Sequence, residues 1–393
     1  MQSMATKKDY LLSMRERYKS AQDRSSKSHL INEIVEYLKL ERKHVIKILN
    51  GKYYHTKYKH TRKKKPKYPY HLNVPLAQIW TVAGKPCSKN LKPQIPELIE
   101  KLEQFGEIQI NGEDRELLCQ IGFSKIDQLL KMARHKQSGK GISGTKTSPL
   151  LKNLIPIRTN FEDVKEVGHT EMDCVLHCGN TVAGIFAETL NVMDIHTHWN
   201  EQICILRKNR SKIVSAFHEI RQYFPFAIKS IDFDNGTEFV NWDLHGYCKT
   251  HNIDYTRSRS YHKNDQAHIE ERNGHRIRRL IGYDRIVDQE IVDLVNDIYQ
   301  NEYRLLNNFF YATRKLISKE KVDKKYKKMY GVAKTPYQRV LECKEVELGV
   351  KMKLVSQYKQ LNPAELNRNL IKKMEHLREL LSVSKLNQAT TPT

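Results

Sequence analysis

The chain of 393 residues contains no run of about eighteen apolar residues, the length that a membrane-spanning helix needs. Its first residues, MQSMATKKDYLL, lack the apolar core of a secretory signal peptide. The seven cysteines are odd in number and scattered, which does not suit the closely spaced framework of a disulfide-stapled protein. We therefore expect a soluble, intracellular protein whose thiols are reduced.

Zinc is the one metal that the cysteines suggest, because Cys174 and Cys178 flank His177. No second ligand pair follows at a finger-like spacing. Strand alternation also places His177 on the opposite face from the two thiols. A structural zinc site is therefore the weaker interpretation.

The chain has fewer acidic than basic residues. The chain has 68 Lys and Arg against 45 Asp and Glu, a net charge of +23. An excess this large favours a polyanionic partner, and nucleic acid is the commonest one. A merely soluble basic protein and a binder of anionic membranes are the alternatives. The length allows two or three domains.

The positive charge is densest at the N-terminus, where residues 1–70 carry 19 basic and 6 acidic side chains. Ser28 to Leu38 and the segment ERKHVIKILN have helical apolar spacing, with a short break between them and an Asn-Gly stop after the second. This pattern predicts a helix-turn-helix DNA-binding domain over residues 1–52, with an ordinary helical hairpin as the alternative. The candidate DNA contacts are Arg42, Lys43 and Lys47.

Three further segments precede the region of greatest interest. Residues 53–72, with the run Lys63, Lys64 and Lys65, are basic and interleaved with tyrosine, which indicates a linker along phosphates. Residues 73–134 predict a second helical domain, either helix-turn-helix-like or simply connecting. Residues 135–149 are rich in Gly, Ser and Lys and predict an inter-domain linker.

Two carboxylates stand out in the second half. Lys229 to Asp234 alternates polar and apolar residues and stops at Asn-Gly, which predicts a short strand ending in Asp234. Thirty-five residues separate Asp234 from Glu270, which lies in a predicted helix from Asp265 to Tyr283. Alone, each is more often a turn former or a solvated charge.

Helical spacing predicts which way Glu270 points. At 100° per residue it shares a face with Ala267, Gly274, Ile277 and Ile281, whereas Glu271, His275 and Arg278 fall on a different face. A carboxylate that points into the domain body is unfavourable unless it has a partner, and a metal ion is one such partner.

DNGTEF, followed after that interval by NDQAHIEERN, resembles the second half of the D-D-E catalytic core of retroviral integrases and related bacterial insertion-sequence transposases. The segment HTEMDCVLHCG supplies the third carboxylate. The resemblance implies a triad of Asp173, Asp234 and Glu270 in a ribonuclease-H-like core over residues 150–290. Asp232 shares the strand face of Asp234 and is its rival. The HHCC zinc module of retroviral integrases is absent, which favours the bacterial transposases.

The order of predicted elements agrees with such a core. Three consecutive strands are followed by alternating helices and strands, which indicates a mixed α/β sheet. The predicted strands cover 168–177, 184–195, 200–207, the segment ending at 234, and 253–258, and the predicted helices cover 211–223 and 243–251.

Residues 291–393 form a basic C-terminal region. Helical pattern continues to about Leu316 and gives way to a lysine-rich stretch at 319–331, which we interpret as DNA-contacting rather than as a solvated charge run. Residues 335–361 are compatible with strands or a helix. Residues 362–386 predict a terminal helix.

Three convergent carboxylates suit Mg²⁺ or Mn²⁺, which prefer oxygen ligands, and two such ions can act on one phosphodiester. The resemblance implies a DNA transposase that cleaves element ends and joins the 3′-hydroxyls to target DNA, as a dimer or larger assembly. A non-catalytic DNA-binding regulator and a purely hydrolytic nuclease are the alternatives. Candidate DNA contacts near the metals are Lys263, Asn273, Arg276 and Arg279.

Overall fold

The computed structural model describes residues 4–51, 67–134, 164, 166–206, 211–233, 239, 242–257, 269, 273–322 and 325–390. The chain divides into two compact units, Met1–Pro69 and Tyr70–Thr393. In the described part of the chain, no helix is both long and apolar enough to cross a membrane.

The first unit consists of three helices, α1 (Met4–Ser20), α2 (Arg24–Leu38) and α3 (Arg42–Leu49). The prediction of two short helices, α2 and α3, is confirmed, and α1 precedes them as a third helix that was not predicted. Asp23 caps α2 by accepting the Ser26 amide at 2.7 Å, a favourable N-cap. Lys39 ends α2 in a left-handed conformation with φ 52°.

Apolar side chains from all three helices form the core of the first unit. Helix α3 turns one face inward, where Val45, Ile48 and Leu49 are buried, and leaves its basic side chains outside. The buried core residues are Leu11, Met14, Leu30, Ile31, Ile34, Val45, Ile48 and Leu49.

The second unit begins with a helical segment. The sequence predicts its helical character, including the amphipathic helix that stops at Gly106 and the pair separated at Gly122. The helices are α4 (Asn73–Val82), α5 (Ser88–Leu91), α6 (Ile95–Gln104), α7 (Gly112–Gln120) and α8 (Phe123–Leu129).

The centre of the second unit is a five-stranded sheet of order β3-β2-β1-β4-β5. Strands β1, β2 and β3 pair antiparallel, while β4 pairs parallel with both β1 and β5. The strands are β1 (His169–His177), β2 (Ala187–Asp194), β3 (Asn200–Leu206), β4 (Ser230–Phe233) and β5 (Asp254–Arg257). The predicted mixed sheet is therefore confirmed.

Helical crossovers join the parallel strands, as parallel pairing requires. Helix α9 (Ser211–Tyr223) connects β3 to β4, and α10 (Trp242–Thr250) lies between β4 and β5. All eight residues of β2 are buried, so both faces of the sheet are covered at this strand.

The rest of the chain adds helices and one hairpin. Residues 335–361, which the sequence left open between strands and a helix, form helices α14 and α15. The elements are α11 (Arg279–Ile281), α12 (Gln289–Ile298), α13 (Arg304–Phe309), β6 (Leu316–Val322), β7 (Lys325–Tyr330), α14 (Pro336–Glu342), α15 (Leu348–Gln360) and α16 (Pro363–Thr390).

Polar contacts join the N-terminal helices of the second unit to its C-terminal helices. The Lys101 ammonium, on α6, donates to the carbonyl oxygens of Tyr358 at 2.7 Å and Lys359 at 2.9 Å. Glu107 accepts from the Arg368 guanidinium of α16 at 2.7 Å. Residues 73–134 are thus part of the same compact unit as the sheet, and the finer domain boundaries stay predictions from the sequence.

Replacing Lys101 by Met tests this junction. The side chain is only 5% exposed, and Met keeps its apolar length but leaves two carbonyls at the end of α15 without a charged donor. We expect the free energy of unfolding to fall by about 1–3 kcal/mol in urea denaturation. The exposed Lys353→Met on α15 is the control and should leave the midpoint unchanged; equal midpoints for both variants would contradict the prediction.

Candidate functional site

Asp173 lies on β1 in the middle of the sheet. Its side chain is half-buried, and its Oδ1 accepts the Cys174 amide at 2.8 Å. Its Oδ2 accepts from the side-chain amide of Asn273. The carboxylate is therefore held in one orientation from two sides, while part of its surface stays open.

Two more carboxyl groups, one on β1 and one on β4, lie on the same side of the sheet as Asp173 and are more buried. Glu171 precedes Asp173 by two residues on β1, and Asp232 is aligned with Glu171 on β4. Both side chains are fully buried. The Glu171 Oε2 accepts the amide of Ile269 at 2.8 Å, and the Asp232 Oδ1 accepts the Thr256 hydroxyl at 2.8 Å.

The register carries the alignment up to Met172 and Phe233. The residues that follow Met172 and Phe233 in the sequence are Asp173 and Asp234. Asp234 and Glu270 themselves lie outside the described residues, as do Lys63, Lys64, Lys65 and Lys263. Of the predicted triad, the structure thus places Asp173.

A network of side-chain amides extends from Asp173 across the sheet. Asn191 on β2 is aligned with Asp173 and donates to the Asn273 Oδ1 at 2.8 Å. Asn200 and Gln202 on β3 donate to the Asn191 Oδ1 at 2.6 Å and 3.2 Å. Asn191 and Asn273 each donate one hydrogen bond and accept another, so the network fixes Asn273 and through it the Asp173 carboxylate.

The helical segment after Glu270 is not an α-helix throughout. Asn273–Arg278 is π-helical, with wider turns than the 100° spacing assumes. Ile277 and Ile281 are buried as predicted. Gly274 is exposed and Arg278 half-buried, with its guanidinium on the Leu176 carbonyl at 2.7 Å, so the predicted faces are wrong for these two residues.

The predicted DNA contacts have different surroundings. Lys43, Lys47 and Arg279 are exposed. The Arg42 guanidinium donates to the Ser28 hydroxyl at 2.9 Å and fastens α3 to α2. Arg276 lies over the ring of buried Tyr311 at 4.6 Å from its centroid.

The sequence had singled out His177 beside two cysteines. Its Nε2 is hydrogen-bonded to the Thr189 hydroxyl at 2.7 Å. Burial, helped by the Arg278 charge, lowers the pKa of His177 to about 3, so this imidazole is neutral at physiological pH. Among the described residues, no group of three or more His, Cys, Asp or Glu side chains could hold a metal ion.

Sequence reasoning missed Glu171 and the amides of Asn191, Asn200 and Gln202. Strand alternation places Glu171 on the face of Asp173, which was a usable signal. The three amides gave no usable signal, because polar residues in a strand ordinarily face solvent. In this protein they are buried, because both faces of the sheet are covered.

No family model matches this sequence. The chain is 31% identical over 339 residues to the uncharacterized protein y4rM of Sinorhizobium fredii (strain NBRC 101917 / NGR234), and the match covers 86% of this chain and 95% of that protein. The chain therefore belongs to the same protein family as y4rM.

Among solved structures, the chain is similar to three retroviral integrase proteins. The HTLV-2 integrase catalytic core domain in complex with magnesium is 15% identical, with a TM-score of 0.29, over 38% of this chain and 92% of that chain. A chain of the simian T-cell lymphotropic virus intasome in complex with PP2A regulatory subunit B56 gamma is 14% identical, with a TM-score of 0.31, and the match covers 54% of this chain and 69% of that chain. The BIV integrase catalytic core domain is 14% identical, with a TM-score of 0.28, and the match covers 44% of this chain and 94% of that chain. TM-scores this low do not establish a common fold.

Substitution of Glu171 tests how the Ile269 segment is held. Leu at this position leaves the Ile269 amide without its acceptor, and we expect that amide to exchange with deuterium roughly 5–150-fold faster. Glu171→Gln keeps an acceptor oxygen and should retain most of the protection. Equal exchange in the Gln and Leu variants would show that the carboxyl group does not hold this segment.

Proposed function

We propose that this protein is a metal-dependent polynucleotidyl transferase that cleaves DNA and joins the resulting 3′-hydroxyls to other DNA, as a transposase does. The observation that carries the proposal is that the described neighbours of Asp234 and Glu270 all meet β1 beside Asp173. Phe233 is aligned with Met172, the Ile269 amide bonds to Glu171, and the Asn273 amide bonds to Asp173.

These contacts support the convergence of three carboxylates. Asp234 directly follows Phe233, and Glu270 stands between Ile269 and Asn273. Each therefore belongs to a segment that contacts β1 within two residues of Asp173. Three carboxylates brought together at this point would repel one another unless cations neutralised them.

The donor set fits a hard divalent cation. Asp173, Asp234 and Glu270 would supply carboxylate oxygens, the ligands that Mg²⁺ and Mn²⁺ prefer, and the half-buried Asp173 is accessible to an ion and a phosphate. When bound, two such ions would act as Lewis acids on the attacking and leaving oxygens. The residues of this chain contribute orientation, because Asn273 holds the Asp173 carboxylate and Asn191 holds Asn273.

The proposed chemistry consists of two displacements at phosphorus. Water first attacks a phosphodiester at the element end, the bond from phosphorus to the 3′-oxygen breaks, and that oxygen leaves as a hydroxyl. The 3′-hydroxyl then attacks a target phosphodiester, so that one bond forms as another breaks and no nucleotide cofactor is consumed. Joining two ends in one event would require two or more copies of the chain.

Asp173→Asn is the direct test of the chemistry. We expect strand cleavage and strand transfer on a labelled duplex carrying the DNA that flanks the gene to fall by more than about 100-fold, beyond the usual cost of losing an outer-shell partner. EDTA should abolish both reactions, and Mg²⁺ or Mn²⁺ should restore them.

The control for Asp173→Asn is Asp254→Asn, which removes an exposed carboxylate from β5 of the same sheet and should keep activity. Duplex binding without cleavage in any metal would favour a DNA-binding regulator instead. Cleavage without joining would favour a nuclease.

The first unit is proposed to supply DNA affinity. Lys43 and Lys47 are exposed four residues apart on the face of α3 opposite its buried residues. Replacing both by Gln should reduce the slope of log affinity against log salt by about 2, since each phosphate contact contributes about 0.9. Lys19→Gln with Arg24→Gln removes the same charge from exposed positions outside α3; an equal loss in this control would contradict a specific role for α3.

A further inference from the structure

Strands β6 and β7 form a two-stranded antiparallel hairpin, here named the basic ribbon. Every residue of β6 except Ser318 is exposed, as is every residue of β7 from Tyr326 onward. A sheet face this exposed is not part of the protein core and is available to a partner.

The register divides the lysines of the basic ribbon between its two faces. Lys319 is aligned with Lys328, and Lys321 with Tyr326. These pairs lie two residues apart on each strand and therefore share one face. The Lys319 ammonium lies 4.7 Å from the centroid of the Tyr326 ring, a diagonal contact on that face.

The other face has a different character. It carries Glu320 aligned with Lys327, so its opposite charges stand across from each other. Met329, aligned with Ser318, belongs to it as well. Among the described side chains of the two strands, the first face therefore combines three lysines with Tyr326 and Tyr330, and the second is close to neutral.

The base of the ribbon is attached to the sheet. Thr313 and Lys334 exchange backbone hydrogen bonds of 3.0 Å and 3.1 Å at its foot. The Arg339 guanidinium donates to the Thr197 carbonyl at 3.2 Å, and the Lys315 ammonium to the His196 carbonyl at 2.7 Å. Both carbonyls belong to the turn between β2 and β3, so the ribbon starts from a fixed point of the core.

That fixed point lies near the candidate site. Asp173 lies three residues along β1 from Thr170, which is aligned with Asp194 at the start of this turn. At the rise of a strand, this is a distance of roughly 10 Å. The turn that anchors the ribbon and the Asp173 side chain therefore belong to neighbouring parts of the same sheet.

We infer that the face of the basic ribbon formed by Lys319, Lys321, Lys328, Tyr326 and Tyr330 binds the phosphodiester backbone of double-stranded DNA. The inference rests on the proposed function and names one surface that serves it. Lysines without an opposing carboxylate attract phosphates, and exposed tyrosines beside them donate hydrogen bonds to phosphate oxygens. The contact is to the backbone and so is independent of base sequence.

Two neighbouring lysines provide a matched test. Lys328→Gln and Lys327→Gln remove the same charge from adjacent exposed positions on opposite faces. Using the full chain and a 5′-labelled duplex of arbitrary sequence in a titration from low to moderate salt, we expect Lys328→Gln to weaken binding about 3–10-fold and to lower the salt slope by about 1. Lys327→Gln should change either value by less than half as much, and Lys319→Gln with Lys328→Gln should lower the slope by about 2.

The outcomes separate this inference from the proposed function. Equal effects of Lys327→Gln and Lys328→Gln, no effect of either, or an effect on an RNA oligonucleotide but not on the duplex would overturn the assignment of this face, while metal-dependent cleavage lost in Asp173→Asn would still stand. A wild-type chain that binds no duplex would overturn both. Unchanged circular dichroism and thermal midpoint in each variant exclude misfolding as the cause.

Discussion

Burial of two carboxyl groups side by side on parallel strands is the constraint on which the centre of this protein depends. Glu171 and Asp232 are aligned across β1 and β4 and are both removed from water. A buried carboxyl group costs several kcal/mol unless donors surround it. The described hydrogen-bond donors lie outside β1 and β4. The Ile269 amide donates to Glu171, and the Thr256 hydroxyl of β5 donates to Asp232. Because each donor belongs to a different segment, satisfying the two carboxyl groups fixes β5 and the Ile269 segment against the central strands. Asp173 lies two residues further along β1, where burial is partial.

The amide network extends this order to the far edge of the sheet. Asn191 and Asn200 relay hydrogen bonds from Asn273 to β3, and the Asn308 side chain of α13 then exchanges bonds of 3.0 Å and 3.1 Å with the Asn200 backbone. A partly satisfied network in a low-dielectric interior is costly, so its members order one another. Orientation at Asp173 is thereby coupled to the packing of helices more than a hundred residues away in sequence. This accounts for a strand beginning Asn-Glu-Gln that is nevertheless buried.

The sequence predicts the sheet well because its signals are local. Alternating apolar residues indicate the strands, and amphipathic spacing indicates the crossover helices. Each predicted strand of the sheet overlaps an observed one. Asp173 was found through a resemblance, since nothing in its neighbourhood distinguishes it from a solvated Asp. Asn273 was proposed as a DNA contact, whereas the structure shows it bonded to Asp173. The faces of Gly274 and Arg278 were wrong because a π-helical turn is not visible in a residue pattern. For residues 335–361 the sequence pattern did not decide between strands and a helix, because apolar and basic residues alternate there without a dominant period.

Under the proposed function, the distribution of charge follows from a conflict at the site. Carboxylates that hold cations also repel the phosphates on which those cations act, so the site by itself attracts DNA weakly until metal is bound. Affinity must then come from basic residues elsewhere in the sequence. The first 70 residues carry +13 of the total of +23, and the lysines of the basic ribbon stand on a hairpin that projects from the core. Because different residues bind DNA and act on the phosphodiester, each set can be strongly charged without neutralising the charge of the other. A cluster of lysines among the carboxylates would instead form ion pairs with them and compete with the metal for the same oxygens.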